Sequence, residues 1–102
     1  MSANRYRGEA SLRVGGETIV LRPSFGALVA TEEELGPLFV LVERASEGQM
    51  TVGEMAALFD HVSRGRPEAI TRERIGEALV ELGLANSAPI LRQVIGQILQ
   101  GR

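Results

Sequence analysis

Polar and apolar positions alternate over residues 9 to 14. Ala10, Leu12 and Val14 fall on one face, and Glu9, Ser11 and Arg13 on the other, the period-two pattern of a half-buried strand. Gly15-Gly16 comes next and supplies the positive φ angles that a two-residue hairpin turn requires. With those glycines as the loop, Val14 faces Glu17, Leu12 faces Ile19 and Ala10 faces Leu21, so the apolar side chains gather on one side. Val20 is the exception and points to the opposite face. A two-stranded hairpin is marginal by itself, so this one, spanning residues 8–22, is expected to lie against the rest of the chain and share its core.

After residue 22 the period changes to that of short capped helices, across residues 24–100. Pro23 ends the second strand and Ser24 is placed to cap a helix running to Leu35, where Gly36-Pro37 breaks it. Pro37 opens a second helix, Leu38 to Ser46, closed by Gly48. Its start, Leu38-Phe39-Val40-Leu41-Val42, is apolar on every side; periodicity alone also fits a buried strand, and the following Glu43-Arg44-Ala45 with the proline start favour a central helix. Thr51-x-x-Glu54 is a capping box. Behind it Val52, Met55, Ala56, Phe59 and Val62 recur at helical spacing until Gly65 and Pro67 end the run. Thr71 caps a helix with the stripe Ile75, Ala78, Leu79 and Leu82, stopped by Gly83. Asn86 or Ser87 is expected to start the last helix, whose wide stripe is Ile90, Leu91, Val94, Ile95, Ile98 and Leu99.

The expected fold is α+β: an N-terminal β-hairpin packed on a bundle of four to five short helices, one domain over residues 1–102. At 102 residues, a domain buries only about 60 to 68% of the surface its unfolded chain exposes. The core is therefore thin, and the wide stripe of the last helix has two readings: core packing, or a surplus apolar face for a partner helix or for self-association. The second reading makes Ile90, Leu91, Val94, Ile95, Ile98 and Leu99 the candidate partner-binding residues.

Composition narrows the function. Hydrophobic residues make up 44% and charged ones 24%, too apolar a mixture for a disordered chain. There is no cysteine, which excludes a disulfide framework and thiolate metal sites. A formal net charge of -2 gives no general pull toward nucleic acid or an anionic membrane, and points to protein partners. The start lacks the apolar run of a signal peptide, and no stretch approaches the roughly 18 to 20 apolar residues of a membrane span. A cytoplasmic location is expected. All eleven basic residues are arginine, which a GC-rich coding bias explains as well as any preference for bidentate contacts.

Catalytic chemistry finds no support. The single histidine, His61, follows Asp60 directly, and adjacent helical positions point about 100° apart, so the two cannot form an oriented acid-base pair. Glu32-Glu33-Glu34 reads as a solvated acidic face near a positive helix start. Ser24, Thr51, Thr71 and Ser87 are each explained as caps, and no second histidine is present to activate one of them. Gly15-Gly16 is a hairpin turn and cradles no phosphate. No enzymatic activity and no cofactor or metal are expected. One nucleic-acid reading stays open: Leu79 to Leu84 followed by Ser87 has the outline of a helix-turn-helix, with Arg92, Gln93 and Gln97 on its second helix.

Specific residues add more than pattern does. Asn4-Arg5-x-Arg7-Gly8-Glu9 before an alternating hairpin, then Leu21-Arg22, then Phe25-Gly26-Ala27-Leu28 opening an acidic helix that ends Leu35-Gly36, resembles the small tail protein of gene transfer agents and related siphophages. That family is classed with the phage tail assembly chaperones and is also labelled as tail tube proteins. The chain departs from it at Ala30-Thr31-Glu32, where a leucine-glutamate pair is typical, and in its isoleucine-rich last helix. The resemblance implies a non-enzymatic tail assembly chaperone that binds the tape measure protein, with the major tail protein as a further partner; the stripe of Ile90 to Leu99, together with Leu38 to Val42, is available to line the shielding surface, and the hairpin edge offers backbone groups to a strand or to another copy. The resemblance brings no catalytic residues, and a structural tail tube component is the alternative it leaves open.

Overall fold

The computed structural model describes residues 9–101; the Asn4 to Gly8 part of the motif, and the expected first residue of the hairpin, lie outside them. The described chain is α+β, a two-stranded antiparallel hairpin followed by five helices. Strands β1 (Ala10–Val14) and β2 (Glu17–Leu21) pair in the register the alternation predicts, with Val14 opposite Glu17, Leu12 opposite Ile19 and Ala10 opposite Leu21. Gly15 and Gly16 form the turn at φ 58° and 89°, angles that cost an L side chain about 1 to 2 kcal/mol. Ala10, Leu12, Val14, Ile19 and Leu21 are all buried, and Val20 on the other face is half-buried.

The open end of the hairpin is fastened from both strands. Arg22 N–H donates to Val62 O at 2.6 Å, and Gln93 Nε2 donates to Glu9 O at 2.9 Å. The inner face of the hairpin rests on the helices, which removes the marginality of an isolated pair of strands.

Four helices begin as their caps predict. In α1 (Phe25–Leu35) Ser24 Oγ accepts from Ala27 N–H, and in α3 (Val52–His61) Thr51 and Glu54 complete a reciprocal capping box. Thr71 Oγ1 accepts from Arg74 N–H at the start of α4 (Arg72–Leu82), and Pro37 precedes α2 (Leu38–Ser46). The centre of the molecule is α3. Its residues Met55 to Phe59 are all buried, surrounded by Leu12, Leu21, Ile75, Leu79 and Val94. Each large side chain removed from water there contributes about 1.5 to 3 kcal/mol.

Two expectations need correction. The apolar helix α2 is not central: only Leu41 is buried, and Phe39 and Val40 face solvent. The hairpin and α3 already fill the core, so a helix added at the side of α1 covers one of its faces and leaves the rest outside. The last helix, α5 (Leu84–Gln100), starts before Asn86 and Ser87. Gly83, at φ 93°, ends α4 and begins α5 at once. Ser87 is no cap; its hydroxyl is buried and donates to Leu79 O and Gly83 O. That contact ties the end of α4 into the first turn of α5. Pro89 consequently lies in the second turn of α5, where it removes the amide that would bond Ala85 O.

Candidate functional site

The predicted stripe on α5 divides between core and surface. Leu91 and Val94 are buried in the main cluster, and Ile90, Ile95 and Ile98 are half-buried against it. Leu99 is 56% exposed. Most of the stripe therefore holds α5 to β1 and α4, and its last turn reaches the surface. There Ile98 and Leu99 join Leu28 of α1 with Leu38, Phe39 and Val42 of α2 to line an apolar groove. Phe39 stands 84% exposed at its edge.

Sequence reasoning offered Leu38 to Val42 beside the α5 stripe as a shielding surface, yet placed α2 at the centre, which its outward side chains contradict. A signal was present. A nine-residue helix that is apolar all round, in a chain whose core is thin, must leave part of its circumference uncovered. Phe25, 85% exposed at the first position of α1, carried no such signal, because periodicity cannot say which side of a helix terminus the core lies on.

On another side, an ionic cluster fastens α1, α3, α4 and the loop between the last two. Glu34 receives two hydrogen bonds from Arg72, at 2.6 and 2.9 Å, and one from His61 Nε2 at 2.8 Å. Asp60 accepts from Arg72 Nε at 2.9 Å and from Arg66 Nη2. The hydrogen bonds from Arg72, then that from His61, lower the Glu34 carboxyl to about 2. Burial on its own would raise Asp60, but the hydrogen bonds from Arg72 and Arg66 outweigh it and hold its carboxyl below the usual aspartate value. Arg66 reaches further. Its guanidinium also donates to Ile70 O, Asp60 O and the Ser63 hydroxyl, closing the α3–α4 loop on itself.

These groups lie beside a surface depression lined by Asp60, His61, Arg64, Arg66 and Arg72 among others. The Asp60 and Glu34 carboxylates are matched to guanidinium groups, the arrangement of a structural clasp, while Glu68 on the lining has no ion-pair partner among the described residues. Among the described residues no three His, Cys, Asp or Glu side chains gather as metal ligands.

Glu32, read as part of a solvated acidic face, accepts from Leu38 N–H at 3.0 Å and so satisfies the exposed start of α2. Glu54 does double duty. Besides its capping role it takes two hydrogen bonds from Arg44, at 2.9 and 2.7 Å, which with the Thr51 amide hold its carboxyl below the usual range.

The helix-turn-helix outline keeps its helices, but two of its three readers are engaged within the molecule, Gln93 while still exposed. Gln93 is bonded to the backbone of Glu9 and Gln97 is half-buried with its amide nitrogen enclosed, which leaves Arg92 on the surface. Among the described residues no helix is long and apolar enough to cross a membrane.

No curated protein and no solved structure matches the chain. A comparison with protein families matches residues 7–101, nearly its whole length, to the family described as phage tail tube protein, GTA-gp10. That match agrees with the resemblance carried by Arg7-Gly8-Glu9, the glycine-turned hairpin and the Phe25-Gly26-Ala27-Leu28 helix start: the chain belongs to this gene transfer agent and phage tail family.

Proposed function

We propose that the protein is a non-enzymatic tail assembly chaperone that binds the tape measure protein in the cytoplasm while tube subunits polymerise around it. The observation that carries this reading is the groove of Leu28, Leu38, Phe39, Val42, Ile98 and Leu99. Single exposed apolar residues are ordinary. A ring and an isobutyl group left outside around one concave apolar surface are the features of a face built for another chain. The tape measure protein is a long and largely helical chain, and its apolar helix faces would associate wrongly before assembly unless a small partner shields them reversibly.

The test is retention of tail proteins by the tagged protein in a producing cell, for the natural chain and for the Phe39→Ser, Leu99→Ser double variant. Both side chains are more than half exposed, so the variant should unfold within about 0.5 kcal/mol of the natural protein. The natural chain should retain the tape measure protein or the major tail protein and the variant should lose it. Retention of neither by the natural chain refutes the reading.

The family description favours a second reading, a subunit of the tail tube itself. Mass spectrometry of purified particles separates the two: a tube subunit is present in stoichiometric amount, a chaperone is absent or scarce. The two five-residue strands of the described chain offer only short edges for pairing between copies, so a tube built from it would rely on helix contacts.

A further inference from the structure

A second apolar groove runs between α3 and α4 and shares no residue with the first. Val52, Gly53 and Ala56 form one wall, and Gly76 and Val80 the other. Val80 is 63% exposed. Gly76 sits in the middle of α4, where glycine weakens a helix relative to alanine. Packing within the molecule gives no reason for it: a Cβ there would meet Ala56 Cβ at 3.7 Å, an ordinary contact. What the missing side chain does is keep the floor of the groove low enough for another backbone to approach.

The rim of this groove carries one sign of charge. Glu77 and Glu81 line it, and Glu73 continues the same row one turn earlier. All three are exposed, and none is among the ion pairs of the described residues. Elsewhere on the same helices the carboxylates of Asp60 and Glu54 are matched to arginines. Three unmatched glutamates spaced four apart beside an apolar trough repel one another and attract a row of cations at helical spacing.

We infer that the α3–α4 groove binds an amphipathic helix of a protein partner, one whose apolar face enters between Val52 and Val80 while Lys or Arg residues beside that face meet Glu77 and Glu81. This goes beyond the chaperone reading and stands without it, since it uses a different surface and a different chemistry.

The probe is a helical peptide of roughly 18 residues, about five turns, with Leu and Ala on one face and Lys flanking it, together with a twin carrying Glu in place of Lys. Each is titrated into the isotope-labelled full chain and followed by amide NMR shifts. The Lys peptide should shift Val52, Gly53, Ala56, Gly76 and Val80, with an affinity that falls as salt is raised; the Glu twin should not bind. Glu77→Lys with Glu81→Lys should weaken the Lys peptide about tenfold, two rim attractions having become repulsions, and should let the Glu twin bind. Glu43→Lys with Glu47→Lys, on and just after α2 and outside the groove, controls for net charge and should change the affinity less than about twofold. Gly76→Leu, which fills the floor, should abolish binding while the far-ultraviolet circular dichroism is unchanged.

Four results overturn the inference. Shifts confined to Leu28, Phe39 and Leu99 would place the peptide in the other groove, and equal binding of the two peptides would remove the role of charge. An E77K/E81K variant that binds the Lys peptide as the natural chain does would separate the rim from recognition. Concentration-dependent shifts at Val52 and Val80 without peptide would give the groove to a second copy of the chain.

Discussion

Arg66 offers the sharpest test of how the α3–α4 connection is held, because its charge and its shape make different predictions. The Arg66 side chain is 16% exposed, and its guanidinium donates in three directions at once: Nε to Ile70 O at 2.5 Å, Nη1 to Asp60 O at 2.9 Å and to Ser63 Oγ at 3.0 Å, and Nη2 to the Asp60 carboxylate. A hydrogen bond to a charged group contributes about 1.5 to 3 kcal/mol. The three sets share one side chain and their carbonyls regain water when it is removed, so the contributions do not add. Arg66→Ala should cost about 2 to 3 kcal/mol, and Asp60 would retain only Arg72 as a counter-ion.

Arg66→Lys keeps the charge but replaces a planar fork with a single ammonium that cannot reach Ile70 O and the Asp60 carboxylate together. It should cost about 1 to 2 kcal/mol. For a domain of this size each kcal/mol moves the midpoint by about 4 to 8 °C, so thermal unfolding followed by circular dichroism, with urea titration for the free energy, resolves both variants. If Arg66→Lys is as stable as the natural protein within about 0.5 kcal/mol, charge alone holds the loop and the reasoning from fork geometry fails.

Three further outcomes follow from the same contacts. Glu34 titrates at about 2 when folded instead of 4.5, so as pH falls the unfolded chain takes up its proton first and the contribution of Glu34 is lost between roughly pH 4.5 and 2; its carboxylate is 38% exposed, and solvent screening keeps that contribution under about 1 kcal/mol. Stability measured against pH should therefore fall less steeply in that window for Glu34→Gln, and an unchanged slope would remove Glu34 from the clasp. Gly15→Ala should destabilise by about 1 kcal/mol through its positive φ, since the Arg74 end that a Cβ would meet at 2.5 Å is mobile enough to swing away; a neutral or stabilising result in urea titration would contradict the turn geometry. Gly76→Ala should stabilise by up to about 1 kcal/mol, and a loss of stability would mean that the α3–α4 contact is tighter than 3.7 Å between those atoms implies.

The amino-acid sequence determined the local features of this protein by itself. Register in the hairpin follows from alternation and two glycines, and four helix starts follow from Ser24, Pro37, Thr51 and Thr71, because a turn or a cap is satisfied by residues within a few positions of one another. Ser87 shows where that reasoning stops: its local preference is to cap a helix, but a buried carbonyl of Leu79 on the preceding helix claims its hydroxyl. Glu34 reaches His61 and Arg72, 27 and 38 positions away, and no spacing in the chain encodes such a meeting.

Tertiary structure likewise decided the fate of the α5 stripe. Apolar periodicity marks a face to be covered without saying by what. Strand β1 and helix α4 cover Leu91 and Val94, whereas Leu99 and Phe39 are left mostly exposed. Burial is a property of what arrives from elsewhere in the chain, and the balance between core and free surface is fixed only when all the elements compete for the same small interior.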